Sequence, residues 1–161
     1  MSGKVYHAAK DGVHVLRFQG ELRCPVAPAV EDFLDALFQD GRPLGIVVDL
    51  TESDYIDSTH LGLLASLSMR MRPTAVTLVS NRPEINRALK LVNFQRLFTL
   101  VPKMVDLPSS DTELPVTEGR PEDVRDTVIS AHKTLMSLSS ENHEAFRELV
   151  DMLTDQDNCR H

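Results

Sequence analysis

The distribution of hydrophobic and polar residues over the first hundred positions predicts short strands that alternate with helices. Residues 4–9 and 13–19 have the composition of two strands joined by a turn at residues 10–12, which predicts a β-hairpin. Residues 26–38 place apolar side chains three and four positions apart, as amphipathic helices do. Residues 44–50 are β-branched and almost continuously apolar, which is typical of a central strand covered on both faces.

The same pattern continues to residue 101. We predict a helix over residues 59–71, a strand over 75–79, a helix that opens at residues 80–84 and a last strand over 97–101. The resulting order, ββαβαβαβ, implies an α/β fold in which helices pack on a mixed β-sheet through right-handed crossovers.

The chain changes character after residue 101. Residues 102–121 contain four prolines and a glycine, so we interpret 102–120 as an acidic linker or surface loop. Residues 121–161 are predicted to be a helical extension, either two short helices or one bent helix. Its apolar seam consists of Val124, Val128, Ala131, Leu135 and Leu138, continued by Phe146, Leu149, Val150 and Leu153. The seam must pack on residues 1–101, on a second copy in a homo-oligomer, or on a partner.

Charge and composition narrow the functional classes. Residues 1–101 carry 11 basic and 11 acidic side chains, whereas residues 102–161 carry 6 and 13, so the whole net charge of −7 lies in the second segment. Because no face collects Lys and Arg with aromatic residues, we expect no nucleic-acid partner. Because no apolar run suits a secretory signal or a membrane span, we expect a cytoplasmic protein without a membrane partner.

Motifs for catalysis and for metal binding are missing from the sequence. There is no GxSxG elbow, no phosphate-binding glycine loop and no HExxH. The six histidines are scattered, and Cys24 and Cys159 show no metal or redox spacing. We therefore expect no enzyme, no catalytic residue, no metal and no cofactor. His132 is interpreted as a helix-surface histidine, because one helical hairpin lacks the four helices of a histidine phosphotransfer domain.

Residues 47–65 are the most informative stretch, because a buried strand leads through an acidic loop to Asp57-Ser58-Thr59 and an apolar helix. In one interpretation, one of these three residues caps the helix by accepting a backbone N–H. In the other, Ser58 accepts a phosphate, which the helix dipole and the free N–H groups tolerate and which places nearly two negative charges on the surface. Both interpretations remain open at this point.

The helix that follows is too apolar for a single buried stripe. Leu61, Leu64 and Ala65 can face the sheet, which leaves Leu63 and Leu67 to point elsewhere. These two leucines either form a docking surface beside Ser58 or are covered by the acidic tail of the same molecule.

The stretch from Val47 to Leu64 resembles the signature of STAS domains in anti-sigma-factor antagonists, in which Val-Asp-Leu leads to Asp-Ser-Ser/Thr-Gly-Leu. Residues 93–98, Asn-Phe-Gln-Arg-Leu-Phe, resemble the same family's approach to its last strand. The resemblance covers residues 1–101, about three fifths of the chain, and the sequence departs from it at His60, where glycine is usual. A histidine there would narrow access to Ser58 or add a pH-dependent charge at the start of the helix.

The resemblance implies a bacterial partner-switching protein in transcriptional signal transduction. Ser58 would be phosphorylated by an anti-sigma factor that is also a serine kinase, and a phosphatase would reverse the reaction. The unphosphorylated form would bind the anti-sigma factor or a related regulator. The partner-binding residues would be Asp57, Ser58, Thr59, His60, Leu63 and Leu67. The alternative within the family is a STAS scaffold or transport-system subunit that is never phosphorylated.

Overall fold

A computed structural model describes residues 3–104, 107–108 and 112–158, and within them seven strands form one sheet. The strands are β1 Lys4–Lys10, β2 Val13–Leu22, β3 Gly45–Asp49, β4 Ser53–Ile56, β5 Thr77–Val79, β6 Thr99–Val101 and β7 Thr112–Leu114. They lie in the order β6-β5-β3-β2-β1-β7, and β4 pairs with the far end of β2. The pairs β1/β2 and β1/β7 are antiparallel and the others are parallel, so the predicted mixed sheet is confirmed.

Five α-helices accompany this sheet in the described residues. They are α1 Ala27–Ala36, α2 Ser58–Met71, α3 Pro83–Leu91, α4 Pro121–Met136 and α5 Ser140–Asn158. Proline occupies the first turn of α1, α3 and α4, where its missing N–H has no helical partner to lose. Each helix predicted over residues 1–101 is present, and its ends agree with the prediction within a few residues.

Two strands were not predicted from the sequence. The first is β4, which inserts between β3 and α2 and pairs with Gly20, Glu21 and Leu22 of β2. The second is β7, which pairs with β1 as an antiparallel edge strand. The interpretation of residues 102–120 as linker or loop is therefore wrong at Thr112–Leu114, where a polar, three-residue strand extends the sheet.

The two faces of the sheet carry hydrophobic clusters of very different size. The larger cluster joins strand residues such as Phe18, Val48 and Leu78 to buried residues of α1, α2, α3 and α4. The smaller one consists of Val15, Val47 and Val79, packed against Val13, Val101 and Leu107. Because successive side chains of a strand point to opposite faces, Val47 and Val48 belong to different clusters. The prediction that the strand over residues 44–50 is covered on both faces is thereby confirmed.

The C-terminal extension forms two helices that pack on the rest of the chain, the first of the three arrangements considered above. Ala131 and Leu135 of α4 are 3 % and 0 % exposed and belong to the larger cluster. The side-chain amide of Asn142, 1 % exposed, donates to the carbonyl oxygen of Val92 at 3.1 Å. At the other end of the apolar seam, Leu149 remains 38 % exposed. No helix of the described residues has the length and apolar character needed to cross a membrane.

Candidate functional site at the start of helix α2

Asp57 supplies the N-terminal cap of α2. Its backbone is extended, with φ −85° and ψ 170°, and its Oδ1 accepts the backbone N–H of His60 at 3.0 Å. The first backbone bond of the helix runs from the N–H of Leu61 to the carbonyl of Asp57 at 3.1 Å. Asp57 is therefore the capping residue of the Asp-Ser-Thr run. Ser58 is the first residue of the helix, and its hydroxyl is not used for capping.

The hydroxyl of Ser58 instead contacts a histidine of the C-terminal extension. Ser58 Oγ lies 2.7 Å from Nε2 of His132, and Nδ1 of His132 lies 2.6 Å from the carbonyl oxygen of Val128. A carbonyl oxygen only accepts, so Nδ1 donates to Val128, and a ring that carries this single proton accepts the hydroxyl proton of Ser58 at Nε2. Ser58 itself is partly exposed, whereas His132 is 2 % exposed.

The interpretation of His132 as a surface histidine is wrong. Its ring is buried between α2 and α5, where it meets the ring of Phe146 edge-on, with 5.2 Å between centroids. One feature of the sequence is consistent with the burial of His132. His132 is four residues after Val128 and three before Leu135, so it borders the apolar seam of α4. Nothing in the sequence indicated that its partner would be Ser58.

Helix α4 crosses α2 at very close range one turn beyond Ser58. A Cβ atom placed on Gly62 would lie 2.3 Å from the carbonyl oxygen of Ala131 and 2.7 Å from its Cβ. No side chain fits at such distances without moving one of the two helices. Gly62 therefore permits the crossing that brings His132, the residue after Ala131, onto Ser58.

His60 points into the protein, not across the entrance to Ser58. Its side chain is 0 % exposed, and Nδ1 lies 2.8 Å from Oδ1 of Asp57, the same oxygen that accepts its backbone N–H. The expectation that this side chain narrows access to Ser58 is therefore wrong. Among the described residues Nε2 of His60 is buried without a hydrogen-bond partner, which is costly for a polar atom.

The predicted docking residues of α2 are buried in this conformation. Thr59, Leu63 and Leu67 are 3 %, 4 % and 1 % exposed, and both leucines belong to the larger core cluster together with Ala131 and Leu135. Of the two alternatives for Leu63 and Leu67, the structure shows the second, because the C-terminal helices of the same molecule cover this side of α2. A role for these residues in partner binding stays a prediction.

Two exposed side chains lie on β4, which leads into the cap of α2, and on the loop before α1. Tyr55 is 40 % exposed, and the guanidinium of Arg23 lies 4.3 Å from its ring centroid. Burial raises the pKa of the Cys24 thiol, and the negative charge of Asp57 raises it further. Cys24 therefore lies close to the cap of α2. The sequence analysis did not select Tyr55 or Cys24, because β4 itself was not predicted.

A groove begins beside Cys24 and runs between the loop at Gly119 and the two C-terminal helices. Its volume is about 510 Å³, and its apolar lining includes Cys24, Val124, Val128, Leu149 and Leu153. In the part of the chain that the structure describes, no cluster of three or more His, Cys, Asp or Glu side chains is arranged to hold a metal ion. The chemistry assembled at the start of α2 is that of the hydroxyl of a partly exposed serine, a buried imidazole and a carboxylate.

The chain belongs to the STAS-domain family, whose pattern it matches over residues 7–107. The predicted family and fold class are thereby confirmed. The chain is similar to the crystal structure of an anti-sigma factor antagonist from Mycobacterium paratuberculosis, with 28 % identity and a TM-score of 0.60 over 65 % of this chain and 90 % of that one. The similarity therefore leaves about a third of this chain unmatched.

A more distant similarity concerns the fold alone. The anti-sigma factor antagonist SpoIIAA in its unphosphorylated form is 14 % identical and superposes with a TM-score of 0.53, over 63 % of this chain and 89 % of that one. No functionally curated protein matches the chain in sequence.

Proposed function

We propose that this protein is an anti-sigma-factor antagonist that acts by phosphorylation-controlled partner switching at Ser58. The unphosphorylated form binds an anti-sigma factor or a related regulator, a serine kinase of the anti-sigma type modifies Ser58, and a phosphatase restores it. The observation that carries the proposal is the position of Ser58. Ser58 is a partly exposed residue at the start of α2, and its hydroxyl is free of the capping role, which Asp57 fills.

The position suits a switch for electrostatic reasons. Phosphorylation adds about two negative charges at neutral pH, and the positive end of a helix dipole tolerates them. Helix α2 itself would therefore survive the modification, while a partner that packs against a neutral surface would meet a dianion. Asp57 adds a negative charge directly before Ser58, whereas the carboxylate of Asp54 on β4 is paired with the guanidinium of Arg82. A partner with a further acidic side chain here would be repelled strongly.

A second candidate is a STAS scaffold or transport-system subunit that is never phosphorylated. One observation favours it, since the Ser58 hydroxyl already has an intramolecular partner in His132 and α2 is largely enclosed. In that case α2 would have a permanent structural role. The two functions differ in whether the cell that makes the protein contains a kinase for Ser58.

The test uses the full chain, carrying an affinity tag, as bait in extracts of the native cell. Ser58→Ala and Ser58→Asp both remove the hydroxyl that contacts His132, so any difference between them reports the charge. We expect Ser58→Ala to retain the co-purifying partner and Ser58→Asp to bind it at least tenfold more weakly, about 1.4 kcal/mol. Ser130→Asp, which adds the same charge at an exposed position of α4, is the control and should bind like the unmodified chain.

Phosphorylation is tested separately. Incubation of the chain with the extract and ATP, followed by peptide mass mapping, should place a phosphate on Ser58 and none on the same peptide of Ser58→Ala. Equal partner affinity of Ser58→Ala and Ser58→Asp, together with an unmodified Ser58, would reject the switch and favour the scaffold.

Two further parts of the proposal concern assembly and location. We propose that the protein acts in the cytoplasm and that self-association, where it occurs, uses two exposed apolar side chains of α5, Leu149 of the seam and Met152. Light scattering of the full chain and of Leu149→Glu would measure this. A dimer that the substitution leaves intact would exclude this surface.

A further inference from the structure

We propose that helices α4 and α5 form an intramolecular cover over the start of α2, and that this cover cannot stay docked when Ser58 carries a phosphate. The inference rests on the proposed function for its biological meaning, because it makes docking of the cover and modification of Ser58 mutually exclusive. Its physical basis is the contact between Ser58 and His132. Of these two residues, His132 lies outside the segment that matches the STAS family.

The first argument concerns the hydrogen bond itself. Ser58 Oγ and His132 Nε2 are 2.7 Å apart, so the hydroxyl proton is the only atom between them. Phosphorylation replaces that proton with a phosphoryl group and turns the hydroxyl oxygen into an ester oxygen that can only accept. Since Nδ1 donates to Val128, a ring that carries this single proton offers only an acceptor at Nε2. Two acceptors at this distance repel each other, and a phosphorus atom with three oxygens does not fit between them.

The second argument is that α4 has no room to adjust locally. His132 follows Ala131, whose carbonyl oxygen lies so close to Gly62 that a single Cβ on Gly62 would come within 2.3 Å of it. His132 is also enclosed on its other side by Phe146 of α5. A tightly packed contact of this kind has few small adjustments available. Displacement of the imidazole from Ser58 therefore moves α4 as a unit.

The third argument is electrostatic. The ranges of α4 and α5 contain nine acidic and three basic side chains, a net charge of −6. A phosphate on Ser58 brings about two more negative charges beneath this acidic pair of helices. Repulsion between like charges across a partly buried contact is weakly screened, so it favours release of the cover.

Release of the cover would change what the protein presents. The face of α2 around Gly62 and the apolar side chains of α4 that meet it, among them Leu135, would become accessible. Because coupling between two equilibria is reciprocal, anything that displaces α4 also makes Ser58 easier to phosphorylate. A partner or kinase that needs the face of α2 must compete with the cover. The free energy of docking of the cover therefore lowers the apparent affinity of either one for α2.

The decisive experiment places phosphoserine at position 58 of the full chain by genetically encoded incorporation, so that no kinase is required. Hydrogen–deuterium exchange measured by mass spectrometry then reports the protection of α4 amides. We expect exchange of the α4 peptides to become at least tenfold faster with phosphoserine at 58. Phosphoserine at 130, an exposed position on α4, is the matched control and should leave protection as it is in the unmodified chain.

A second variant opens the cover without any charge. Alanine ordinarily favours a helix over glycine, so Gly62→Ala would strengthen an α2 that had no close neighbour. In this chain its Cβ collides with Ala131, and α4 exchange should again rise at least tenfold. Gly45→Ala is the matched control, because its Cβ would meet only Val13 side-chain atoms at 3.7 Å or more. Protected amides in β2 and β3 verify that the variant remains folded.

Cys24 gives an independent readout, because its side chain lines the groove bounded by both helices of the cover. In a Cys159→Ser background, its reaction with a disulfide reagent should be faster in Gly62→Ala than in Gly45→Ala. Unchanged or stronger protection of α4 in the chain with phosphoserine at 58 would overturn the inference, since it would mean that His132 holds the phosphate. Because neither readout needs a partner or a kinase, failure of the proposed function and failure of the cover are distinguishable.

Discussion

Ser58 and His132 are 74 residues apart in sequence, and their side chains share a 2.7 Å hydrogen bond that joins the start of α2 to the middle of α4. The bond places the Ser58 hydroxyl of the STAS domain in contact with a segment outside the residues that match the family. The chemical state of one residue is thereby connected to the position of an entire helix.

The strength of this connection can be measured by a double-mutant cycle. His132→Phe retains an aromatic ring against Phe146 but loses two side-chain hydrogen bonds, to Ser58 and to the carbonyl of Val128. Because each bond contributes about 0.5–1.5 kcal/mol, the free energy of unfolding should fall by about 1–3 kcal/mol. Ser58→Ala should cost less, because Ser58 is partly exposed. Urea unfolding of both single variants and of the double variant should give a coupling energy of about 0.5–1.5 kcal/mol. Additive effects would contradict a direct bond.

The contact between α1 and α4 predicts a pH dependence. Burial raises the pKa of the Glu31 carboxyl, and the negative charge of Asp35 raises it further. The hydrogen bond from Thr127 of α4 lowers this pKa, and the charge of Asp32 makes the smallest contribution, which again raises it. A carboxyl whose pKa is higher in the folded than in the unfolded state favours folding most when protonated. That contribution is complete below the unfolded pKa and is lost as the pH rises through the folded pKa.

Glu31→Gln should therefore raise the melting temperature at pH 7, because the amide carries no charge to desolvate and still accepts from Thr127. Below pH about 4, where the carboxyl of an unperturbed glutamate is mostly protonated, the variant should lose this advantage. Thermal unfolding across this range checks the sign. Glu148→Gln, an exposed position on α5, is the control. A stabilisation that does not change with pH would show that charge is not its cause.

The anchor of α5 predicts a loss of stability that is confined to the C-terminal helices. Asn142→Ala removes a 1 % exposed amide and leaves the carbonyl of Val92 without its donor, which should cost about 1–3 kcal/mol. Hydrogen exchange should accelerate in α5 first, while the central strands stay protected. Asn81→Ala, at an exposed position, should have little effect. Equal destabilisation of α5 and the central strands would mean that the extension does not unfold separately.

Most of the α/β domain was predictable because its elements have strong local patterns. The apolar run around β3 and the helical spacing of apolar residues in α1 and α3 can each be recognised within about ten consecutive residues. Strands β4 and β7 have no such pattern. Their pairing with β2 and β1 depends on residues far away in sequence, and β7 is a three-residue edge strand with a mostly exposed surface. Short strands of this kind owe their formation to the sheet that they join.

The residues of the candidate site also divide into those that local sequence predicts and those that depend on tertiary packing. Ser58 and Asp57 were predictable, because a capping motif and a family signature are both local in sequence. The burial of His60 depends on the space beneath the first turn of α2, and the burial of His132 depends on where α4 packs. The apolar seam of the extension predicted that one side of α4 would be covered, but three partners satisfied it equally. Only the absence of a side chain at Gly62, which lets Ala131 of α4 approach α2, explains why the seam packs on the chain's own α2.

The short connection between β7 and α4 determines how the two C-terminal helices behave after they leave α2. Strand β7 is fixed to β1, and the N–H of Gly119 donates to the carbonyl of Pro25 at 2.8 Å, immediately before α4 begins. Helices released on such a short tether remain at an effective concentration on the order of millimolar. A competitor present at micromolar levels in the cell must therefore bind far more tightly than the tethered segment does.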